Sequence, residues 1–295
     1  MFPRTSHTLL LPSGTALRLG ERTLIMGILN VTPDSFADGG LHLDARRAVD
    51  AALRMVDEGA DIIDVGGEST RPGSAAVPAD EEKRRVLPVI EAIAARVKTP
   101  ISIDTYKAAV ADAAFEAGAS IVNDISGLLY DPGLGVVAAR RGMPIVLMHT
   151  RGRPAEMYKE AVYQDAAREL AGELEPRVAF AVSCGIPRGQ VIVDPGLGFA
   201  KKADHSYAAL AGLQRLAVLD LPILVGASRK SFLKDAVGDV PPAEREWGTA
   251  AAVAAAVLFG AHIVRVHGVK AMADVVRVAD RIRGFTAEAA ESAEN

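Results

Sequence analysis

An α/β fold, a single (β/α)8 TIM barrel led by a short N-terminal β-hairpin, is the architecture this sequence predicts. Three observations carry it. Eight short runs rich in Val, Ile and Leu recur along the chain, with helical patterns between them. Strands buried on both faces of a parallel sheet read as such near-continuous apolar runs. No break in composition divides the 295 residues, a length that suits one barrel of roughly 250 residues. No GxGxxG or GxxxxGK[ST] motif occurs, which removes the usual reason to prefer the alternative, an open doubly wound sheet.

The elements follow in chain order. Residues 8–11 and 15–19 flank Pro12-Ser13-Gly14 and read as a hairpin suited to closing the bottom of the barrel. Strands fall at 23–29, 62–65, 101–103, 120–122, 144–148, 191–193, 223–225 and 262–266. Helices fall at 45–58, 80–96, 107–117, 131–141, 158–184, 249–259 and 271–283. The organisation is a hairpin segment over 1–22, a barrel over 23–285 and a small-residue, acidic tail over 286–295 that is expected to fray. The helix at 249–259 (TAAAVAAAVLF) is apolar all round, whereas an outer barrel helix needs only one buried face. A second copy of the chain, in a two-fold homodimer, is the expected cover.

Charge and cysteine usage exclude several classes. Lys+Arg 33 against Asp+Glu 37 leaves −4 with no long basic run, so no nucleic-acid partner is expected. The single Cys184 cannot form an internal disulfide and suits a reducing cytoplasm; it reads as a packing residue. The N-terminus lacks a signal-peptide pattern. The longest apolar run, 250–261, is too short to span a bilayer, so no membrane association is expected.

In barrels of this kind the chemistry gathers at the C-terminal strand ends. Those ends carry Asn30, Asp64, Asp104, Asn123-Asp124, Met148-His149, Asp194, the run Gly226-Ala-Ser-Arg-Lys-Ser231, and Arg265-Val-His267. A single Asp or Asn after a strand is ordinarily a helix cap or turn residue; capping does not explain one on nearly every exit. Arg71, Arg265 and His267 suggest an anion. Asn30 offers a neutral oxygen to Mg2+, which fills its shell with phosphate oxygens and water. Asp104, Asn123 and Asp194 suit a heterocycle rich in N–H donors, and two unpaired buried carboxylates would be costly without one. Lys230 lies near them as a donor to a carbonyl or ring nitrogen. The loops at 31–41 and 66–77 are long and rich in Gly, Ser and Pro, which reads as a pair of lids. His149 reads as structural.

Residues 26–40 (MGILNVTPDSFADGG) and 61–73 (DIIDVGGESTRPG) resemble the two signatures of the dihydropteroate synthases. The resemblance continues through Ile103-Asp104-Thr105, Asn123-Asp-Ile-Ser-Gly127, Met148-His149, Asp194-Pro-Gly-Leu-Gly-Phe199, the run at 226–231 and Arg265-Val-His267, and covers 23–285. Gly268 and Lys202 depart from it, where many members carry Asp and Thr. The resemblance implies an enzyme that joins para-aminobenzoate to (7,8-dihydropterin-6-yl)methyl diphosphate, releasing pyrophosphate and giving 7,8-dihydropteroate, by an SN1-like, Mg2+-assisted path. It implies that Asp104, Asn123, Asp194, Lys230 and Met148 bind the pterin. Asn30, Thr70, Arg71, Arg265 and His267 would hold the diphosphate, with Asn30 also on Mg2+. Phe36, Pro72, Phe199, Lys230 and Ser231 would form the aminobenzoate site. Asp38 would stabilise the methylene cation, and Asp34 would help order the first loop; Asp64 receives no role. Asp38, Arg71, Lys230, Arg265 and His267 make up the expected catalytic set. The alternative, a pterin-binding methyltransferase domain, shares the barrel and the pterin carboxylates but needs no diphosphate cradle.

Overall fold

The computed structural model describes residues 4–32, 40–69, 74, 76–153, 158–159 and 161–294, with the backbone alone at 40–44 and 285–294. The chain opens on the antiparallel pair β1 (His7–Leu10) and β2 (Ala16–Leu19), with His7 opposite Leu19 and Leu10 opposite Ala16. Gly14, at φ +83°, makes the reversal possible.

Eight parallel strands follow: β3 (Leu24–Asn30), β4 (Ile62–Gly66), β5 (Ile101–Asp104), β6 (Ile121–Asp124), β7 (Ile145–Met148), β8 (Val191–Asp194), β9 (Leu224–Val225) and β10 (Ile263–Val266). Their spatial order is β8-β7-β6-β5-β4-β3-β10-β9. Val193 bridges Ile223 and donates its N–H to the Pro222 carbonyl at 2.9 Å, which joins β8 to the root of β9 and closes the barrel. Between the strands run α1 (Gly40–Asp57), α2 (Ala79–Ala94), α3 (Ala108–Glu116), α4 (Gly133–Arg141), α5 (Ala166–Ser183), α6 (Ala203–Ala211), the single turn α7 (Lys234–Val237) and α8 (Glu246–Leu258), with α9 (Val269–Glu294) last. All eight expected strands form, and Asn30, Asp104 and Asp194 are the last residues of theirs.

Two apolar clusters hold this together. Leu9, Leu11 and Leu19 of the hairpin pack with Met26, Ile62, Ile121, Val146, Ile192, Leu224 and Ile263 of the barrel interior. The hairpin therefore plugs the bottom, as its pattern predicts. The second cluster lies between strands and helices. Burying an aliphatic side chain in either contributes about 1.5–3 kcal/mol. Arg4 ties the entering chain to the barrel, donating to Thr23 Oγ1 at 2.6 Å and to the Ala261 carbonyl at 2.9 Å.

Four helical regions differ from the sequence reading, the first being α1, which starts at Gly40 rather than at 45. The long α5 starts at Ala166 rather than at 158, because the Asp165 carboxylate accepts from the Arg168 N–H at 3.2 Å and caps it there. The span between β8 and β9 holds α6 and a 3-10 segment, Leu213–Leu219, where no helix was expected. The backbone of α9 continues as helix to Glu294, through the stretch expected to fray. The apolar α8 buries Thr249, Ala252, Val253, Ala256 and Val257, while Trp247 is 87% exposed. One face is thus covered by the chain itself. Among the described residues no helix is long and apolar enough to cross a membrane.

Candidate active site

Eight parallel strands put all their C-terminal ends on one rim, and the polar residues of the sequence meet there. Asp64, wholly buried on β4, accepts from Asn123 Nδ2 at 2.9 Å and from Arg265 Nε at 2.5 Å. Arg265 Nη2 also reaches Asp104 Oδ2 at 2.6 Å. The cation expected on the anion side of the ring thus also reaches its carboxylates. The Arg265 guanidinium, expected beside Asn30, is drawn to Asp64 and Asp104, because a buried carboxylate lacking a cation is expensive. One oxygen of each carboxylate, Asp64 Oδ1 and Asp104 Oδ1, still has no hydrogen-bond donor.

The electrostatics follow from this crowding. Burial pushes the Asp104 carboxyl up to about 7; Arg265 opposes the rise, while Asp64, Glu82 and Asp124 reinforce it. Burial also raises Asp194, against the pull of Lys230 and of the Gly196 N–H, which donates to Asp194 Oδ1 at 2.7 Å. Lys230 is pushed down to about 8 by its own burial, with Asp194 resisting. The Lys230 ammonium stands 4.7 Å from the centroid of the Phe199 ring, so Phe199 and Lys230 are brought together as expected. Met148 lies beside Asp194 in the β7–β8 register.

The run after β9 is held from behind. Arg229 adopts φ +59°, a costly conformation for a non-glycine residue. Its N–H donates to Thr249 Oγ1 at 3.0 Å, its carbonyl accepts from Arg245 Nη1 at 3.0 Å, and its Nε meets Glu246 Oε2 at 3.2 Å. A Cβ at Gly268 would lie 2.2 Å from Glu246 Oε1, so the departure at Gly268 makes room for that glutamate. His267 Nδ1 lies 2.9 Å from Ser228 Oγ. Ser231 is exposed and opens a 3-10 turn, Ser231–Leu233, ahead of α7.

Asn30 is half-buried at the end of β3, beside Gly66 of β4. Among the described residues no group of three or more His, Cys, Asp or Glu is placed to hold a metal. Asn30 offers one neutral amide oxygen there, a donor that suits a hard cation held chiefly by phosphate and water. The root of the second long loop is anchored by ion pairs from Lys107 to Glu68 and to the buried Glu82, with Tyr106 Oη donating to Glu68 at 3.0 Å. Asp34, Phe36, Asp38, Thr70, Arg71 and Pro72 lie outside the described residues.

Sequence reasoning missed two residues. Asp64 was seen at a strand end without a role, and it anchors both Asn123 and Arg265. Lys201 was passed over. It is 1% exposed, with its ammonium 2.9 Å from His149 Nδ1 and 3.0 Å from the Phe199 carbonyl. The available signal was its place directly after the Asp194–Phe199 run. His149, read as structural, sits between Lys201 and Glu173, whose Oε2 is 2.9 Å from Nε2.

The chain is a closed parallel barrel whose mouth collects carboxylates, an amide and cations, and its class is that of the pterin-binding enzymes: a family profile described as "Pterin binding enzyme" matches residues 26–267. The chain is 47% identical over 266 residues to the dihydropteroate synthase of Bacillus subtilis (90% of each chain) and 46% over 273 residues to that of Synechocystis (92% and 94%). The solved structure of Yersinia pestis dihydropteroate synthase, in a sulfonamide drug complex, superposes with a TM-score of 0.88 at 42% identity, covering 94% of this chain and 99% of that one. The chain belongs to the dihydropteroate synthase family, transferases that join para-aminobenzoate to (7,8-dihydropterin-6-yl)methyl diphosphate in folate biosynthesis. The methyltransferase alternative gives way to these matches.

Proposed function

We propose that this chain makes 7,8-dihydropteroate by a path in which pyrophosphate departs before the arylamine attacks. The C–O bond between the pterin methylene and the diphosphate breaks, and its electron pair leaves with oxygen. The methylene cation is conjugated with the electron-rich dihydropterin. The aminobenzoate nitrogen then forms the C–N bond with its lone pair and releases a proton. No covalent bond to the enzyme is required.

The observation that supports a pterin in this mouth is a surplus of acceptors there. Asp64, Asp104, Asp194 and Asn123 share the rim, and two of the carboxylate oxygens lack a donor. A ring with several N–H donors matches that surplus. Asp104, Asn123 and Asp194 hold the pterin with Met148 beside it, and Lys230 donates to the ring. Arg265 is shared between the carboxylates, where it rests here, and the diphosphate of the substrate. His267, Asn30, Thr70 and Arg71 complete the diphosphate site. Asn30 would hold Mg2+ together with diphosphate oxygens, and the ion supplies neutralisation of the leaving group's charge. Phe199, Lys230 and Ser231, with Phe36 and Pro72, form the aminobenzoate site, and Asp38 stabilises the cation.

The chain works in the cytoplasm as a homodimer built on α8, whose apolar surface leaves Trp247 87% exposed and Phe259 38% exposed. Sedimentation at micromolar concentration tests the dimer; a monomer removes it. The mechanism is tested by incubating the pterin diphosphate, labelled with oxygen-18 at the bridging position, with enzyme and Mg2+ but no aminobenzoate. Scrambling of the label into non-bridging positions is expected; its absence, with active enzyme, means a concerted displacement. Pyrophosphate release that does not need Mg2+ removes the ion from the reading.

A further inference from the structure

Lys201 is among the largest fully buried side chains of the protein, and none of the roles above uses it. Its ammonium has three acceptors within reach: His149 Nδ1 at 2.9 Å, the Phe199 carbonyl at 3.0 Å and the His149 carbonyl at 3.4 Å. Glu173 Oε2, a carboxylate oxygen, can only accept from His149 Nε2. The proton of a neutral His149 therefore sits on Nε2, which leaves Nδ1 to accept from Lys201.

The carbonyls that Lys201 holds belong to the two segments that shape the Asp194 end of the site. The His149 N–H donates to the Asp194 carbonyl at 2.9 Å, and the Gly196 N–H donates to the Asp194 carboxylate. Gly196 approaches so closely that a Cβ there would lie 2.1 Å from the His149 carbonyl oxygen. The turn ends in Ala200 at φ +48°, a conformation that persists only where the surroundings enforce it. Phe199, one residue earlier, faces the Lys230 ammonium.

We propose that Lys201 is a positioning residue for pterin recognition: by clamping the carbonyls of Phe199 and His149 it sets the turn at 195–200, and its charge supports the Asp194 carboxylate from behind. The inference rests on the reading that Asp194 holds the pterin. The charged and titratable groups facing Asp194 are Lys201, Lys230 and Arg265; those facing Lys201 are Asp194, Lys230, His149, Glu173, Arg151 and the Tyr163 ring. Burial lowers Lys201 to about 7, and Glu173 and Asp194 work against that fall. A line of polar groups thus runs from the part-exposed Glu173 through the neutral His149 and Lys201 to Asp194.

The test is calorimetric titration of 6-hydroxymethyl-7,8-dihydropterin into the full-length protein between about pH 5 and about pH 9. Asp194→Ala comes first: normal pterin affinity there overturns the reading of the site and not the role of Lys201 alone. Lys201→Met is expected to lose about tenfold or more in affinity near neutral pH, and its loss of binding on acidification should begin roughly one pH unit higher, because Asp194 has lost a supporting charge. Lys201→Arg should restore the acid limb. A folded Lys201→Met with affinity and acid limb within about twofold of the native protein overturns the proposal. If Lys201→Met does not fold, Glu173→Gln decides. Without that carboxylate Lys201 gives up its proton at lower pH, so the alkaline limb of pterin binding must move down; a superimposable profile overturns the proposal.

Discussion

Arg265 Nη2 lies 2.6 Å from Asp104 Oδ2, so the last strand of the barrel is tied to the third across the mouth where substrate must bind. The same guanidinium meets Asp64. One side chain thus compensates two buried carboxylates, and its removal acts on the pterin end of the site as well as on the diphosphate end. Arg265→Ala should weaken free pterin by at least about tenfold and lower stability by on the order of 3 kcal/mol, the usual cost of stranding a buried charge. His267→Ala should weaken the diphosphate substrate while free pterin binds within about twofold of native. Titration of both ligands into both variants checks this. Unchanged free-pterin affinity in Arg265→Ala would show that the contacts to Asp64 and Asp104 have no part in recognition.

Asp194→Ala should abolish measurable pterin binding and leave the fold intact. The carboxylate is nearly buried, and its one protein donor in the turn is the Gly196 N–H. Losing a charge-assisted pair to the ligand costs on the order of 10² in affinity or more. The strand keeps its ladder bonds, so the variant should fold, although the buried Lys230 and Lys201 lose a compensating carboxylate and the melting temperature falls. A folded variant with near-normal pterin affinity would remove Asp194 from the site.

How much of this was legible in the sequence depends on distance along the chain. The strands were legible because Val, Ile and Leu runs at regular spacing report local burial, and the rim was legible because Asn30, Asp104, Met148 and Asp194 each end a strand. Pairing across the barrel was not. Nothing local to Arg265 says that its head reaches residues 64 and 104, since that contact follows from barrel closure. The start of α5 was misplaced because apolar periodicity ran past the Asp165 cap. Lys201 was hidden because a lysine beside the exposed Lys202 reads as solvated, and only the fold turns it inward.

The Glu68–Lys107–Glu82 group supports a structural prediction. Glu82 is buried, its carboxyl is raised by burial, and Lys107 is the cation that opposes that rise. Lys107→Met should therefore strand Glu82 and destabilise the protein by about 3–5 kcal/mol. The double variant Lys107→Met with Glu82→Gln should recover part of that loss, because no buried charge remains. Urea unfolding of both variants checks the prediction, and a double variant less stable than the single one would contradict it.

The last prediction concerns acid stability and His262, at the bottom of the barrel. His262 is 3% exposed; its Nδ1 accepts from the Ile223 N–H at 3.0 Å, and its Nε2 lies 3.0 Å from the Thr5 carbonyl, to which it donates. Both ring nitrogens are satisfied only in the neutral form. Burial, reinforced by His7, Arg4 and Arg283 and opposed by the Thr5 carbonyl, pushes the imidazole down to about 3. The unfolded chain takes up that proton near pH ~6.5. Between those values the unfolded state binds more protons, so this stabilisation is present above about 6.5 and lost as pH falls toward about 3. Asn at 262 keeps an acceptor for the Ile223 N–H and does not titrate. His262→Asn should be less stable than native near neutral pH by about 1–3 kcal/mol. That gap should close on acidification by up to about 1.4 kcal/mol per pH unit. His149, also pushed down by burial, and Asp104, pushed up, are present in both proteins, so they cancel in the difference. Urea midpoints measured at a series of pH values give the gap directly. A gap that stays constant from about pH 7 to about pH 4.5 would mean that His262 takes up its proton in the folded protein as it does in the unfolded chain, and that its Nδ1 does not depend on accepting from the Ile223 N–H.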